Sequence, residues 1–290
     1  MSQAARHLNS AYIALMDDAP ADSVLRRVRD LWWPHFQASI TSSDPLQCLN
    51  RLDAYMDLGR VALLSLAQSY GRTGGKGDGA REVQLQNQFL KSNTGKMFER
   101  FVGMALAAVL ARCDAPYCVQ PFTQHSLGQC HGLNRDAFKV FINLGPNALS
   151  THIDADLIAF NPDEVDSDIF MVSIKSTLKD RFHNVPFWNL LRLAALNVHS
   201  NRITAQNSAV LGKMKYIAIC SDLANEQPDF GSDTGARQLL RVDAALLDGA
   251  YVTSSRARGV ADSGAHLGTS RSEPFYFLSC FGKHLCGIDS

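Results

Sequence analysis

The hydrophobic and polar positions follow a helical period at the start of the chain and a mixed period later. Over residues 1–70, apolar side chains recur at helical spacing, so this part is expected to be helical. Ser23 stands where a cap would begin one helix, and Pro34 predicts that this helix ends or kinks. A second helix is expected from about Pro45 to Tyr70.

A glycine-rich stretch, residues 71–81, predicts a loop after these helices. A Walker-type phosphate loop needs four residues between its first glycine and its final Gly-Lys, but only three separate Gly71 from Gly75, so we expect no nucleotide cofactor. The next helix is expected to begin at Thr94 and to carry Glu99 at the edge of its apolar face. Periodicity by itself favours a surface role for Glu99, near the positive end of the helix, over a metal-binding role.

The middle of the chain has the two-residue alternation of β-strands. Residues 118–124 and 138–144 are expected to form strands. Within a third predicted strand, residues 152–160, Asp154 and Asp156 fall on the same side. Residues 169–175 are apolar on both faces, which is typical of a central strand, and they end in Lys175.

A helix with Pro186 in its first turn and a strand at 215–220 complete a predicted order of helix, strand, strand, strand, helix, strand, to which residues 138–144 add one further strand. That order predicts an α/β fold with a mixed sheet flanked by helices. The last seventy residues are expected to add a helix at 237–249, a polar loop and a strand at 274–281.

Composition narrows the class of protein. Lys+Arg and Asp+Glu both number 28, and a net charge of zero argues against a chain that coats nucleic acid indiscriminately, though not against an enzyme with one basic cleft. The odd set of seven cysteines indicates free thiols and a cytoplasmic location, and the spacing of Cys113, Cys118 and Cys130 matches no standard zinc site. Neither a signal peptide nor a membrane span is expected.

An acid on one strand and a lysine at the end of the next suggest metal-dependent phosphodiester cleavage. Mg²⁺ needs only one or two carboxylates, which Asp156 and Glu99 would supply, and Lys175 would act on the attacking water and the phosphate. An Asp and a Lys at this separation are weak evidence alone.

Three motifs together make the chain resemble type II restriction endonucleases of the PD-(D/E)XK superfamily, and within it the EcoRII/NgoMIV-type enzymes that read CCGG or CC(N/W)GG-like sites. Residues 94–99, TGKMFE, resemble the Gly-x-x-x-Glu helix start that donates an active-site glutamate in that group. Ala155-Asp156-Leu157 stands where the family has Pro-Asp and an apolar residue, and residues 173–181, SIKSTLKDR, resemble the run that contains the catalytic lysine. The resemblance spans roughly residues 93–220.

The chain departs from that pattern at three points. Ser173 occupies the position of the first acid of (D/E)xK, so the resemblance implies that Glu99 supplies this carboxylate. Some members carry a glutamate thirteen or fourteen residues after the lysine, where this chain has Trp188 and Asn189, which puts a second metal in doubt. Ala155 replaces the family proline and leaves Asp154 as a competitor of Asp156.

The resemblance also implies that residues just after the lysine read DNA bases. Lys179, Asp180 and Arg181 suit adjacent C:G pairs, because an Asp accepts from cytosine N4 and an Arg binds guanine O6 and N7. Their other interpretation is a solvated turn that caps the next helix. That helix, starting near Asn184, is also expected to favour a phosphate at its N-terminus.

These expectations describe a Mg²⁺-dependent type II site-specific deoxyribonuclease that acts on double-stranded DNA as a homodimer. Residues 1–90 form a helical N-terminal region, and residues 91–290 form a restriction-endonuclease-like core with a C-terminal elaboration. Two alternatives remain: a nuclease of the same superfamily without strict site specificity, for repair or phage defence, and a DNA-binding module with an inactive site.

Overall fold

A computed structural model describes residues 2–17, 23–74, 79–145, 147–176, 182–197, 199, 202–221, 229–231 and 235–288. The helices are α1 (Gln3–Asp17), α2 (Val24–Ser42), α3 (Pro45–Cys48), α4 (Leu52–Gly74), α5 (Gly79–Arg112), α6 (Gln124–Gln129), α7 (Val185–Leu196), α8 (Ser208–Lys213), α9 (Gly235–Ala245) and α10 (Leu278–Leu285). The strands are β1 (Cys118–Pro121), β2 (Lys139–Leu144), β3 (Asn147–His152), β4 (Leu157–Phe160), β5 (Ile169–Lys175), β6 (Ile203–Ala205), β7 (Met214–Cys220), β8 (Gly249–Val252) and β9 (Tyr276–Phe277). Among these described helices, none is long and apolar enough to cross a membrane.

The helical character of the first part is confirmed, with two differences in detail. Ser23 caps α2 by accepting from the Arg26 N–H at 3.2 Å, and of the two outcomes predicted at Pro34 the helix end is excluded, because α2 continues through that residue. Burial of Phe36 in the core after the proline stabilises the helix beyond it. The predicted helix from Pro45 to Tyr70 is interrupted between α3 and α4. There, Arg51 forms an isolated antiparallel β-bridge with Ser254, which is distant in sequence.

Helix α5 is longer than the sequence predicts. It begins at Gly79, so the prediction of Thr94 as its N-cap is wrong. Residues 81–93 are mostly good helix formers, and the cost of Gly95 inside a helix, about 1 kcal/mol, is smaller than the gain from burying every residue between 101 and 110. The helix spans the boundary between the 1–90 and 91–290 regions, and residues 75–78 of the glycine-rich stretch lie outside the described residues.

The main sheet is mixed, and its strands run in the order β1-β4-β5-β7-β8-β9. β1, β4 and β5 are antiparallel neighbours, whereas β5, β7, β8 and β9 are parallel. The parallel step from β5 to β7 is made through α7, since parallel neighbours need a crossover connection. The prediction of a mixed sheet flanked by helices is therefore confirmed.

The two faces of this sheet bury different helices. Phe170, Val172 and Ile174 of β5 face the core that contains α5, and Ile169 and Met171 face the core that contains α7 and α9. This alternation follows from the two-residue period of a strand. Ser173 and Lys175 therefore lie on the α7 side of the sheet.

The predicted strand at 152–160 is wrong as a single element. β3 ends at His152, which pairs with Lys139 in a separate sheet of order β3-β2-β6, and β4 begins at Leu157 in the main sheet. Residues 153–156 cross between the two sheets. The predicted C-terminal strand is also mostly wrong, because β9 contains only Tyr276 and Phe277 before α10 begins. Alternation in sequence does not reveal where a chain changes its pairing partner.

Candidate active site

A cleft of about 210 Å³ opens where β4 begins and β5 ends. Both strands contribute to it, and the first turn of α7 and one residue of β7 complete it. The described residues that line the cleft are Asp154, Ala155, Asp156, Ser173, Lys175, Asn184, Val185, Trp188 and Tyr216. The fold thus brings together Asp156 and Lys175, and the secondary candidates Asp154, Ser173 and Asn184.

The carboxylate of Asp156 is held by three donors on one oxygen. Oδ2 accepts from the Ile174 N–H at 2.6 Å, from Lys175 Nζ at 3.1 Å and from Ser173 Oγ at 3.4 Å. The backbone of Asp156 is fixed as well, since its N–H donates to Val172 O at 2.9 Å. Within the described part of the chain, Oδ1 has no hydrogen bond, so this oxygen is free to bind a ligand in the cleft.

Lys175 is the last residue of β5 and places its ammonium group beside that carboxylate. Only 20% of the Lys175 side chain and 24% of the Asp156 side chain are exposed. Partial removal from water strengthens the interaction between the charges relative to a surface pair. Ser173, one strand period before Lys175, is buried and donates to the same oxygen, so it supports Asp156 without adding a negative charge.

Asp154 provides a second carboxylate in the cleft. Its side chain is 61% exposed, and Oδ1 lies 3.7 Å from the guanidinium of Arg135. Its backbone carbonyl accepts a hydrogen bond from the hydroxyl of Tyr216 on β7. Asp154 is therefore fixed at its backbone, while its side chain remains exposed to solvent.

Tyr216 is a site residue that the sequence pattern missed. It lies in a buried strand and looks like an ordinary core residue. Burial raises the pKa of Tyr216 well above its usual value, and the charges of Asp156 and Asp154 raise it further. The phenol therefore stays a neutral donor that anchors the segment between β3 and β4.

Glu99 is not among the residues that line the cleft. It lies on α5, which packs against the other face of the sheet, whereas Ser173 and Lys175 are on the α7 side. Glu99 is close enough to the buried Tyr12 of α1 for its charge to raise the pKa of that phenol, although burial is the larger cause. Its assignment as a metal ligand stays a prediction, and Asp154 is the second carboxylate that the cleft itself contains.

A buried polar network fixes α7 over the cleft. Arg192 donates to Asp248 Oδ2 at 2.8 Å and to Asn189 Oδ1 at 2.9 Å, and Asn189 donates to Leu246 O at 2.7 Å. Asn189 therefore takes part in this network, and Trp188 faces the cleft. These are the two positions at which the resemblance led us to look for a second glutamate. Asn184 precedes α7 and makes no side-chain cap, which leaves its amide exposed at the cleft.

The base-reading residues suggested by the sequence cannot be located. Lys179, Asp180 and Arg181 lie outside the described residues. In the sequence, residues 177 and 178 separate them from Ser176, and Phe182 follows Arg181. Their recognition role stays a prediction.

The donor set of the cleft fits a hard divalent cation. Mg²⁺ keeps several waters and needs one or two carboxylates, which Asp156 Oδ1 and the exposed Asp154 provide. Within the described ranges, no group of three or more His, Cys, Asp or Glu side chains is arranged to hold a metal. An Mg²⁺ ion held by one or two carboxylates would complete its coordination with water and substrate oxygens.

No protein-family model matches the chain, and a search of curated proteins found no match.

Proposed function

We propose that this chain is a Mg²⁺-dependent endonuclease that cuts double-stranded DNA at a specific C:G-containing site, as type II restriction endonucleases of the PD-(D/E)XK superfamily do. The observation that carries the proposal is the pairing of Asp156 with Lys175 in a cleft at the end of the central sheet. Among the elements that pack in or on the main sheet, α5, β1, β4, β5, α7 and β7 follow one another in the helix, strand, strand, strand, helix, strand order that the sequence predicts, and α6, β2, β3, β6 and α8 are inserted between them.

The residues of the cleft have distinct tasks in this proposal. Asp156 and Asp154 would hold Mg²⁺, which when bound neutralises charge on the phosphate and acidifies a water molecule. The Ile174 N–H and the Ser173 hydroxyl keep the Asp156 carboxylate in one orientation. Lys175 holds a positive charge beside that carboxylate, where it orients the attacking water and balances the charge of the scissile phosphate.

Plasmid cleavage in the presence of Mg²⁺ tests the proposal. The expected result is a set of discrete bands. A smear would instead indicate a nuclease without strict site specificity, and a gel shift without cutting would indicate an inactive DNA-binding module. Each of these three results supports a different one of the three functions that the sequence left open.

Two variants test the site itself. Lys175→Ala should lower the cleavage rate by about 10²–10⁴-fold and leave DNA binding largely intact, because the lysine acts on the reacting groups. Lys213→Ala is the matched control, since Lys213 forms a comparable pair with Asp166 at 2.7 Å on the surface, away from the cleft. Equal activity of Lys175→Ala and the control would refute the assignment.

The second carboxylate is tested by comparing Asp154→Asn with Glu99→Gln at several Mg²⁺ concentrations. If Asp154 holds the ion, Asp154→Asn requires more Mg²⁺ for half-maximal cleavage and Glu99→Gln does not. The reverse result would return the role to Glu99.

A further inference from the structure

The three-stranded sheet β3-β2-β6 has one face on the core and one face on solvent. Val140 and Ile142 of β2 pack against the core that contains α7, so the side chains next to them on the strand point the other way. The Arg202 carbonyl accepts from the Asn143 N–H at 2.7 Å, which extends the pairing of β2 with β6 by one residue. Residues that are directly opposite in an antiparallel pair share a face. The solvent side, which we call the outer face, includes Lys139, Phe141, Ser150, His152, Arg202 and Thr204.

The outer face begins at the candidate active site. Arg135 precedes Lys139 by four residues, and its guanidinium lies 3.7 Å from the carboxylate of Asp154, which lines the cleft. The next residue, Asp136, lies 3.4 Å from Nε2 of His152 at the end of β3. Because Asp154 follows His152 by only two residues, the cleft and the outer face form one continuous surface.

The charges of this surface indicate the kind of partner. Arg202 is exposed, the Arg135 side chain is 56% exposed and Lys139 is half-buried. The strands β2, β3 and β6 contain no Asp or Glu. The two carboxylates at the end near the cleft, Asp136 and Asp154, each lie beside a basic side chain. A polyanion therefore complements the outer face.

Phe141 distinguishes between a duplex and a single strand as that polyanion. Lys139 Nζ lies over the Phe141 ring at 5.6 Å from its centroid, and the ring is half-buried between Ser150 and Thr204 of the neighbouring strands. Single strands are held by open aromatic rings on which bases stack, and a ring covered by an ammonium group does not offer such a platform. Lys, Arg and hydroxyl side chains are instead the groups that contact the phosphates of a duplex.

The spacing of the basic residues suits a DNA backbone. Arg202 lies opposite Asn143, which is four residues from Lys139 along β2, so the two cations are separated by about 13 Å along the strand. One DNA strand advances about 3.4 Å per nucleotide along the helix axis, so this separation corresponds to about four nucleotides. Arg135 continues the row of cations to the edge of the cleft.

We propose that Arg135, Lys139 and Arg202 bind the phosphates of one DNA strand beside the cleavage position, so that the outer face guides the duplex into the cleft. This inference rests on the proposed function, because the phosphate in the cleft sets where the bound strand begins. Contacts to phosphates carry no base information, so the three cations position DNA of any sequence and leave the choice of site to other residues.

Fluorescence anisotropy of a labelled DNA duplex of arbitrary sequence, in EDTA, measures this binding without cleavage. Each phosphate contact contributes about 0.9 to the slope of the logarithm of the binding constant against the logarithm of the salt concentration. The triple variant Arg135→Gln/Lys139→Gln/Arg202→Gln should therefore reduce this slope by about 2.7. At about 0.1 M salt its affinity should fall by at least about a hundred-fold.

A second triple variant, Arg27→Gln/Lys96→Gln/Arg112→Gln, is the matched control. It removes the same charge from exposed side chains of α2 and α5, and α5 packs on the other face of the main sheet. Its slope should equal that of the wild-type protein.

Ser150→Lys tests the same surface by a gain of binding. Ser150 is exposed on the outer face, opposite Phe141. One added cation should tighten duplex binding by about five- to tenfold at about 0.1 M salt and increase the slope by about 0.9. A folding defect cannot imitate tighter binding, so this variant keeps the inference testable if the triple variant is unstable.

Equal slopes of the two triple variants, or no gain in Ser150→Lys, would overturn the inference. Plasmid cleavage with Mg²⁺ tests the proposed function separately. A protein that binds duplex through the outer face and cuts no plasmid would overturn the nuclease and leave the surface in place. A protein that cuts plasmid, and whose first triple variant binds like the wild type, would overturn the surface and leave the nuclease in place. A wild-type protein that binds no duplex would overturn both.

Discussion

The buried pair of Arg192 and Asp248 should dominate the stability of the α7 side of the fold. The Arg192 side chain is 5% exposed and that of Asp248 is 15% exposed. Burial lowers the pKa of Arg192, and the neighbouring carboxylate of Asp248 opposes this change. Replacement of Arg192 by Met keeps much of its volume but removes every hydrogen bond of the guanidinium.

The size of the expected loss in stability follows from the carboxylate that the substitution leaves unpaired. Arg192→Met leaves a nearly buried carboxylate on Asp248, and breaking a buried pair in this way costs about 3–5 kcal/mol. The Tyr216 N–H still donates to Asp248 Oδ2 at 2.8 Å, so we expect the lower end of the range. A loss of about 3 kcal/mol is a large part of the free energy of unfolding of a typical domain, about 5–15 kcal/mol.

Urea unfolding followed by circular dichroism measures this loss. The double variant Arg192→Met/Asp248→Asn has no unpaired charge, so its free energy of unfolding should be about 1–2 kcal/mol higher than that of Arg192→Met. Lys213→Ala, which breaks the surface pair with Asp166, should change the free energy of unfolding by less than about 1 kcal/mol. The reasoning fails if Arg192→Met is as mild as this control.

Two further predictions concern the C-terminal part. Burial lowers the pKa of His266 to about 4 from 6.5, so below pH 6.5 the unfolded chain binds a proton that the folded chain does not. The free energy of unfolding should fall by roughly 2–3 kcal/mol as the pH falls through this window. Urea titrations at about pH 7 and about pH 4.5 measure this change, and in His266→Gln the part of the change that comes from His266 should be absent. Gly259 has a φ of +69°, and a Cβ there would overlap the backbone of Gly231, so Gly259→Ala should cost about 2 kcal/mol or more. Gly212→Ala on α8, where a Cβ meets nothing within 4 Å, is its control in thermal unfolding, and equal melting temperatures would contradict the prediction.

Part of the candidate site could be predicted from local pattern. Asp156 directly precedes β4, and Lys175 ends β5; these two strands are adjacent in sequence, so their pairing needs only a short connection. Ser173 and Lys175 are two residues apart on one strand and must share a face. From that face the Ser173 hydroxyl donates to the Asp156 carboxylate.

The remaining site residues depend on partners that are distant in sequence. Tyr216 reaches Asp154 across the sheet, and no periodicity distinguishes its side chain from that of any other buried strand residue. Glu99 illustrates the opposite case, because its motif predicted a helix start, whereas Glu99 lies in the middle of α5. Its assignment as a metal ligand stays a prediction. A motif gives residue types and spacing, but not the face of the sheet on which a helix packs.

The sequence by itself determined the mixed sheet flanked by helices, the adjacent strands next to Asp156 and Lys175, and the helix after them, because these follow from short-range periodicity. Only the tertiary structure decided where the chain leaves one sheet for another at residues 153–156 and how far α5 extends. It also decided which carboxylates share the cleft and which cations share the outer face of the three-stranded sheet. These features are set by burial and by hydrogen bonds between residues far apart in the chain, and local pattern contains neither.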